Sequence, residues 1–120
     1  SGDLIVVFEE EDHSYFVRDG ENLILELHIS FPLAVLGGKI DIPTLHGKVG
    51  LKIPKGIQSG QILRLKGKGF PRIRSNHYGD QLVKVQINTP KKITRSTKRL
   101  IDDLKDNLYP IDNPFRKIEL

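Results

Sequence analysis

The chain has 120 residues, of which 28% are charged and 38% hydrophobic, with a formal net charge of +4 at pH 7. That length suits one compact unit able to bury about 65% of its extended surface. Without a single cysteine there is no disulfide framework, thiol nucleophile or cysteine-based zinc site. No run of about 18 apolar residues occurs, so no membrane span is expected.

In chain order, Ser1-Gly2 reads as a tag remnant, and Leu4 to Phe8 is a continuous apolar strand. Glu9 to Asp12 and Arg18-Asp19-Gly20 are polar turns around Tyr15 and Phe16. Leu23, Leu25, Leu27 and Ile29 alternate cleanly, which predicts a strand lying on a core. Phe31 to Leu36 is a helical turn or two, with Ser30 as N-cap and Gly37-Gly38 behind it. Lys39 to Ile42, Val49 to Ile53, Ile62 to Leu65 and Gln81 to Ile87 supply four more strands. Turns fall at Pro54-Lys55-Gly56, Gln58-Ser59-Gly60 and Gly67-Lys68-Gly69, because proline presets φ and glycine accepts positive φ.

After Pro90 the apolar period changes. Thr94 is a suitable N-cap, and Leu100, Ile101, Leu104 and Leu108 fall at helical spacing, predicting an amphipathic helix of about a dozen residues. Tyr109-Pro110 and Asn113-Pro114 place an extended tail behind it. The expected fold is mainly β: a small β-sandwich of short strands with one short helix, followed by a C-terminal amphipathic helix and extended tail.

Charge is distributed unevenly. Through Gly37 there are eight acidic residues against Arg18, whereas Gly38 to Arg99 holds fifteen basic residues against Asp41 and Asp80. The basic part suits nucleic acid, a membrane surface or an acidic peptide; equally, lysines on strand faces deter edge-to-edge aggregation.

Catalytic constellations are not evident. His13, His28, His46 and His77 lack metal-ligand spacing, and Ser30, Ser59 and Ser75 sit in no nucleophile elbow. Glu9 to Asp12 and Asp102-Asp103 read as solvated carboxylates, and Gly67-Lys68-Gly69 lacks the rest of a phosphate loop. No enzyme activity and no cofactor or metal are expected.

Four segments are familiar in order and spacing: Gly38-Lys39-Ile40-Asp41-Ile42-Pro43-Thr44-Leu45-His46-Gly47-Lys48-Val49, Ile53-Pro54-Lys55-Gly56-Ile57-Gln58-Ser59-Gly60, Leu65-Lys66-Gly67-Lys68-Gly69-Phe70-Pro71 and Gly79-Asp80-Gln81-Leu82-Val83. With Phe31 to Gly37 upstream, they resemble the C-terminal region of J-domain co-chaperones, the Hsp40 (DnaJ) family. Family members carry two similar β-domains in tandem, and Gly2-Asp3-Leu4-Ile5 echoes Gly79-Asp80-Gln81-Leu82. The resemblance therefore implies that residues 1–9 hold a tag remnant and the last strand of a preceding client-binding domain. Residues 10–90 would form the second β-domain, and 91–120 a dimerisation helix and tail.

Neither the His-Pro-Asp of a J domain nor a cysteine-rich zinc repeat occurs in the sequence, which suggests the zinc-free subgroup. The function so implied is holding unfolded or extended client polypeptides for Hsp70, as a homodimer, in the cytoplasm. Dimerisation candidates are Leu100, Ile101, Leu104, Leu108, Tyr109 and Phe115. A peptide groove, transferred by analogy from the first β-domain, would lie beside Leu25, Leu27, Lys39, Ile40 and Ile42; these residues could equally fill a core. Lys117-Ile118-Glu119-Leu120 resembles an endoplasmic-reticulum retrieval signal with isoleucine misplaced. The competing reading is a basic nucleic-acid-binding β module, for which only Phe70 and Tyr78 supply aromatics among the lysines.

Overall fold

The structure is a computed structural model that describes residues 15–120. The expected strand Leu4–Phe8, the turn at Glu9–Asp12 and His13 lie outside the described residues. The chain divides into two units, one ending at Thr89 and one running from Pro90 to Leu120.

The first unit contains β1 (Phe16–Asp19), β2 (Asn22–Ser30), helix α1 (Phe31–Leu36), β3 (Gly38–Thr44), β4 (Gly47–Ile53), β5 (Ile62–Leu65) and β6 (Gln81–Asn88). Four strands form a mixed sheet in the order β1-β2-β6-β5, and β3 and β4 form a separate antiparallel pair. At the centre of the larger sheet β2 and β6 run parallel, with Leu25 opposite Val83 and Leu27 opposite Val85. Parallel neighbours need a long crossover. Everything from α1 to β5 supplies it, including the second sheet.

Period-two patterning builds the core. Leu25 and Ile29 of β2, Val83 and Val85 of β6, Ile42 of β3, and Leu51 and Ile53 of β4 are buried in one cluster with Ala34 and Ile57. Both sheets thus turn an apolar face toward one interior, as in a sandwich. Gln81, fully buried on β6, adds a polar tie between the sheets by donating from Nε2 to the Pro43 carbonyl at 2.9 Å.

Among the described residues the expected strands are present, with two differences. The polar turn expected at Arg18-Asp19-Gly20 is shorter, because Arg18 and Asp19 belong to β1 and pair with Leu23 and Asn22. Gly20, with φ of +61°, fits the first central position of a two-residue hairpin turn. The β3–β4 hairpin is longer than expected because its turn needs only Leu45-His46, closed by the Thr44 hydroxyl donating to the Gly47 carbonyl at 2.6 Å. Helix α1 has the expected caps: Ser30 Oγ accepts from the Leu33 amide, and Gly37 at φ +74° donates to the Leu33 carbonyl.

One end of the sandwich is tied by a main-chain knot. The Gly69 amide donates to the Gly79 carbonyl and the Gly79 amide to the Phe70 carbonyl, each at 2.8 Å, and the Phe70 amide donates to the Glu21 carbonyl at the same distance. A methyl on Gly69 would stand 2.6 Å from the Glu21 oxygen and 2.7 Å from the Asp80 nitrogen, and one on Gly79 would meet the same Glu21 carbonyl closer still. Only hydrogen fits at either position. Beside the knot, the Asp80 carboxylate accepts from the Gly67 amide at 2.9 Å and from the Arg64 guanidinium at 2.6 Å. The Gly67 amide foremost, then Arg64, stabilises the carboxylate and holds Asp80 below the usual aspartate range, against the cost of its partial desolvation.

Overpacking predicts that Gly79→Ala loses about 3 kcal/mol or more, whereas Gly20→Ala, where the added methyl meets nothing within 4 Å, bears only backbone strain of about 1–2 kcal/mol. Urea unfolding followed by the sheet signal checks the ranking. Because the folded Asp80 carboxyl sits below its unfolded value, its contribution is complete above about pH 4 and is lost as pH falls through the folded value. Asp80→Asn is therefore less stable than the parent at pH 7, with a gap that narrows toward pH 3; a pH-independent gap would contradict this.

Candidate functional site

The five groove candidates divide by burial. Leu25 and Ile42 are 7% and 1% exposed and belong to the core, so neither can offer side-chain surface to a ligand without opening the sandwich. Leu27 and Ile40 are partly buried and pack against that same core. Lys39 is exposed, stands opposite Lys52 in the β3–β4 register, and lays its aliphatic chain across Gly50. By sequence β2 and β3 have equal claims on a groove, but they fall in different sheets. What unites the four apolar candidates is the core cluster, which leaves Leu27 and Ile40 as the accessible apolar pair.

On the outward side of the larger sheet, His28 Nδ1 lies 2.7 Å from Asn88 Oδ1 and Nε2 lies 3.4 Å from a Glu26 carboxylate oxygen. The Asn88 hydrogen bond first, and Glu26 after it, favour the imidazolium and raise the His28 pKa. The group is exposed, and among the described residues no serine hydroxyl bonds to it.

In the second unit, α2 (Arg95–Asn107) is capped by Thr94, whose hydroxyl accepts from the Thr97 amide at 3.2 Å. No residue of this helix is buried. Leu100, Ile101, Leu104 and Leu108 are 69%, 42%, 39% and 54% exposed, and Tyr109 and Phe115 of the following extended segment are more exposed still. Five of the six pairing candidates thus fall on or just beyond one helix, with Phe115 farther along the tail.

The knotted end of the first unit brings Phe70 and Tyr78, the two aromatics of the nucleic-acid reading, together with Arg18 and Arg74, whose roles the sequence does not flag. The Arg18 guanidinium stacks 4.2 Å over the buried Phe70 ring, so Phe70 is closed to any outside ligand. Tyr78 is 45% exposed and meets His46 edge to face at 6.5 Å. Arg74 adopts φ of +61°, a left-handed conformation rare for a side chain of its size. The glycine pair that hints at a phosphate loop has its Gly67 amide occupied by Asp80.

Comparison with known proteins matches residues 1–90 to the DnaJ C-terminal domain family. "Chaperone protein DnaJ" of Fusobacterium nucleatum is 47% identical over 108 residues, covering 90% of this chain and 28% of that protein. The protein of the same name from a Geobacillus species is 51% identical over 100 residues, covering 83% of this chain and 26% of its own length. That from Salinibacter ruber is 42% identical over 112 residues, covering 92% and 29%. The chain therefore spans little more than a quarter of each relative.

The burial division is testable by truncation. Leu25→Ala and Ile42→Ala remove core volume and are expected to lose about 2–5 kcal/mol, while Leu27→Ala and Ile40→Ala lose less than about 2. Equal losses at all four in urea unfolding would contradict the assignment.

Proposed function

The chain belongs to the DnaJ C-terminal domain family, and on that footing we propose that it is the client-holding and pairing portion of an Hsp40 co-chaperone that presents unfolded polypeptides to Hsp70 in the cytoplasm. In this reading residues 10–90 are the second β-domain and 91–120 the dimerisation segment. The segment works by binding and catalyses no reaction.

The observation that carries the reading is the uncovered stripe on α2. A 13-residue helix is marginal by itself in water, and this one presents Leu100, Ile101, Leu104 and Leu108 along one side. A second copy of the same stripe is a self-complementary cover, since in a two-fold pair the same patch serves both partners. Clients would meet main-chain edges and the half-open Leu27 and Ile40, which suits extended apolar segments without strict sequence choice. Two weak sites on one dimer increase avidity by roughly 10²–10⁴ where geometry allows.

Light scattering on the whole chain and on a version ending at Ile93 tests the pairing. The whole chain is expected at twice its monomer mass and the shortened one as a monomer, with Leu100→Asp/Leu104→Asp behaving like the truncation. Monomeric masses for both lengths would sink the proposal. A spacer without client affinity would also fail to slow the aggregation of a denatured protein.

A further inference from the structure

Several contacts bring cations together at the knotted end of the first unit. Arg64 and Gly67 meet Asp80, the Pro71 and Tyr78 backbones form a bridge, and Arg18 lies over Phe70. The ring contact between His46 and Tyr78 brings the β3–β4 turn, and with it Lys48, to the same end. This end therefore gathers Arg18, Lys48, Arg64, Lys66, Lys68, Arg72 and Arg74 around three carboxylates, those of Asp19, Glu21 and Asp80.

The carboxylates are mostly spent. Arg64 pairs with Asp80 at 2.6 Å and Arg72 with Glu21 at 2.8 Å, while Arg18 donates to the Gly20 carbonyl. The side chains of Lys48, Lys66, Lys68 and Arg74 take no hydrogen bond or ion pair among the described residues, and all four residues are exposed. Lys66, Lys68 and Arg74 lie outside the strands, so edge protection does not explain them.

Two further features accompany the charge. Arg74 is the one described non-glycine residue with positive φ, and left-handed backbone at a bulky residue is concentrated where ligands are held. Its neighbours on the same loop are Ile73, 88% exposed, and Tyr78, whose ring is half open and braced by His46.

We propose that this end of the domain is a single-stranded nucleic-acid site, with Lys48, Lys66, Lys68 and Arg74 meeting phosphates and a base stacking on Tyr78. Free cations around an exposed, braced aromatic are the combination that single strands need, since every base offers a π-face. A purely acidic peptide would use the cations and leave Tyr78 idle. That difference selects between the two.

The experiment is fluorescence anisotropy of a labelled 20-nucleotide oligo-U with the whole chain, from about 50 to 200 mM salt. Four phosphate contacts predict a log–log salt slope near −3. Lys68→Glu/Arg74→Glu should weaken binding at least about tenfold and flatten the slope by about 1.4. Tyr78→Ala should weaken it at least about fivefold with the slope unchanged, and Tyr78→Trp should restore it. Lys91→Glu/Lys92→Glu, which changes net charge equally but in the second unit, should have little effect. Circular dichroism confirms that each variant is folded. Absence of binding, equal losses in both charge-reversed pairs, or an unaltered affinity in Tyr78→Ala together with displacement by oligoglutamate would overturn the proposal.

Discussion

The first unit depends on a close approach of backbones at Glu21, Gly69 and Gly79. Three main-chain hydrogen bonds of 2.8 Å pin the segment after β5 and the segment before β6 to each other and to the β1–β2 turn. Because the Leu23 amide then donates to the Asp80 carbonyl at 2.9 Å, the start of β6 is aligned with the start of β2. From there the parallel register runs from Leu23 opposite Gln81 to Ser30 opposite Asn88. A one-residue slip would turn Val83 and Val85 out of the core. The knot therefore fixes the phase of the central strand pair, and so which residues of β6 face the second sheet.

This gives the motif glycines and aspartate a structural meaning. Gly69 and Gly79 are small because carbonyls occupy the space a side chain would need, and Asp80 is acidic because a guanidinium and an amide converge on it. The lysines interspersed among them are under no such constraint. In one stretch of chain, the glycines organise the fold while the free cations remain available to solvent or to a ligand.

Much of the fold was legible in the sequence wherever the apolar period was long enough. β2, with four alternating apolar residues, and α2, with its stripe and threonine cap, are both recovered with near-correct limits. β1 is a different matter: Phe16-Val17-Arg18-Asp19 has too few residues to establish a period, and its strand character comes from pairing with β2. Burial within a strand was less legible still. Leu25 and Leu27 look alike in sequence and share a face with Ile29, yet Leu25 and Ile29 are core and Leu27 between them is only partly buried, a distinction that period-two patterning does not carry. Nothing in the sequence marks Arg74 as left-handed, since its conformation is imposed by the turn closed between Arg72 and His77.

The two units are stabilised in different ways. The first has a closed apolar interior shared by two sheets, so its stability is internal and insensitive to concentration. The second has a capped helix with an i,i+4 ion pair between Lys98 and Asp102 at 3.0 Å, worth only about 0.3–0.5 kcal/mol. Completing the burial of its four exposed aliphatic side chains would be worth on the order of 3–6 kcal/mol after discounting the area already covered. Most of the helix's possible stabilisation is thus gained only when something covers the stripe. In the pairing proposed above, folding of the helix and assembly of the dimer become one equilibrium, so the helix content of residues 95–107 should depend on protein concentration while the sheet signal of the first unit does not.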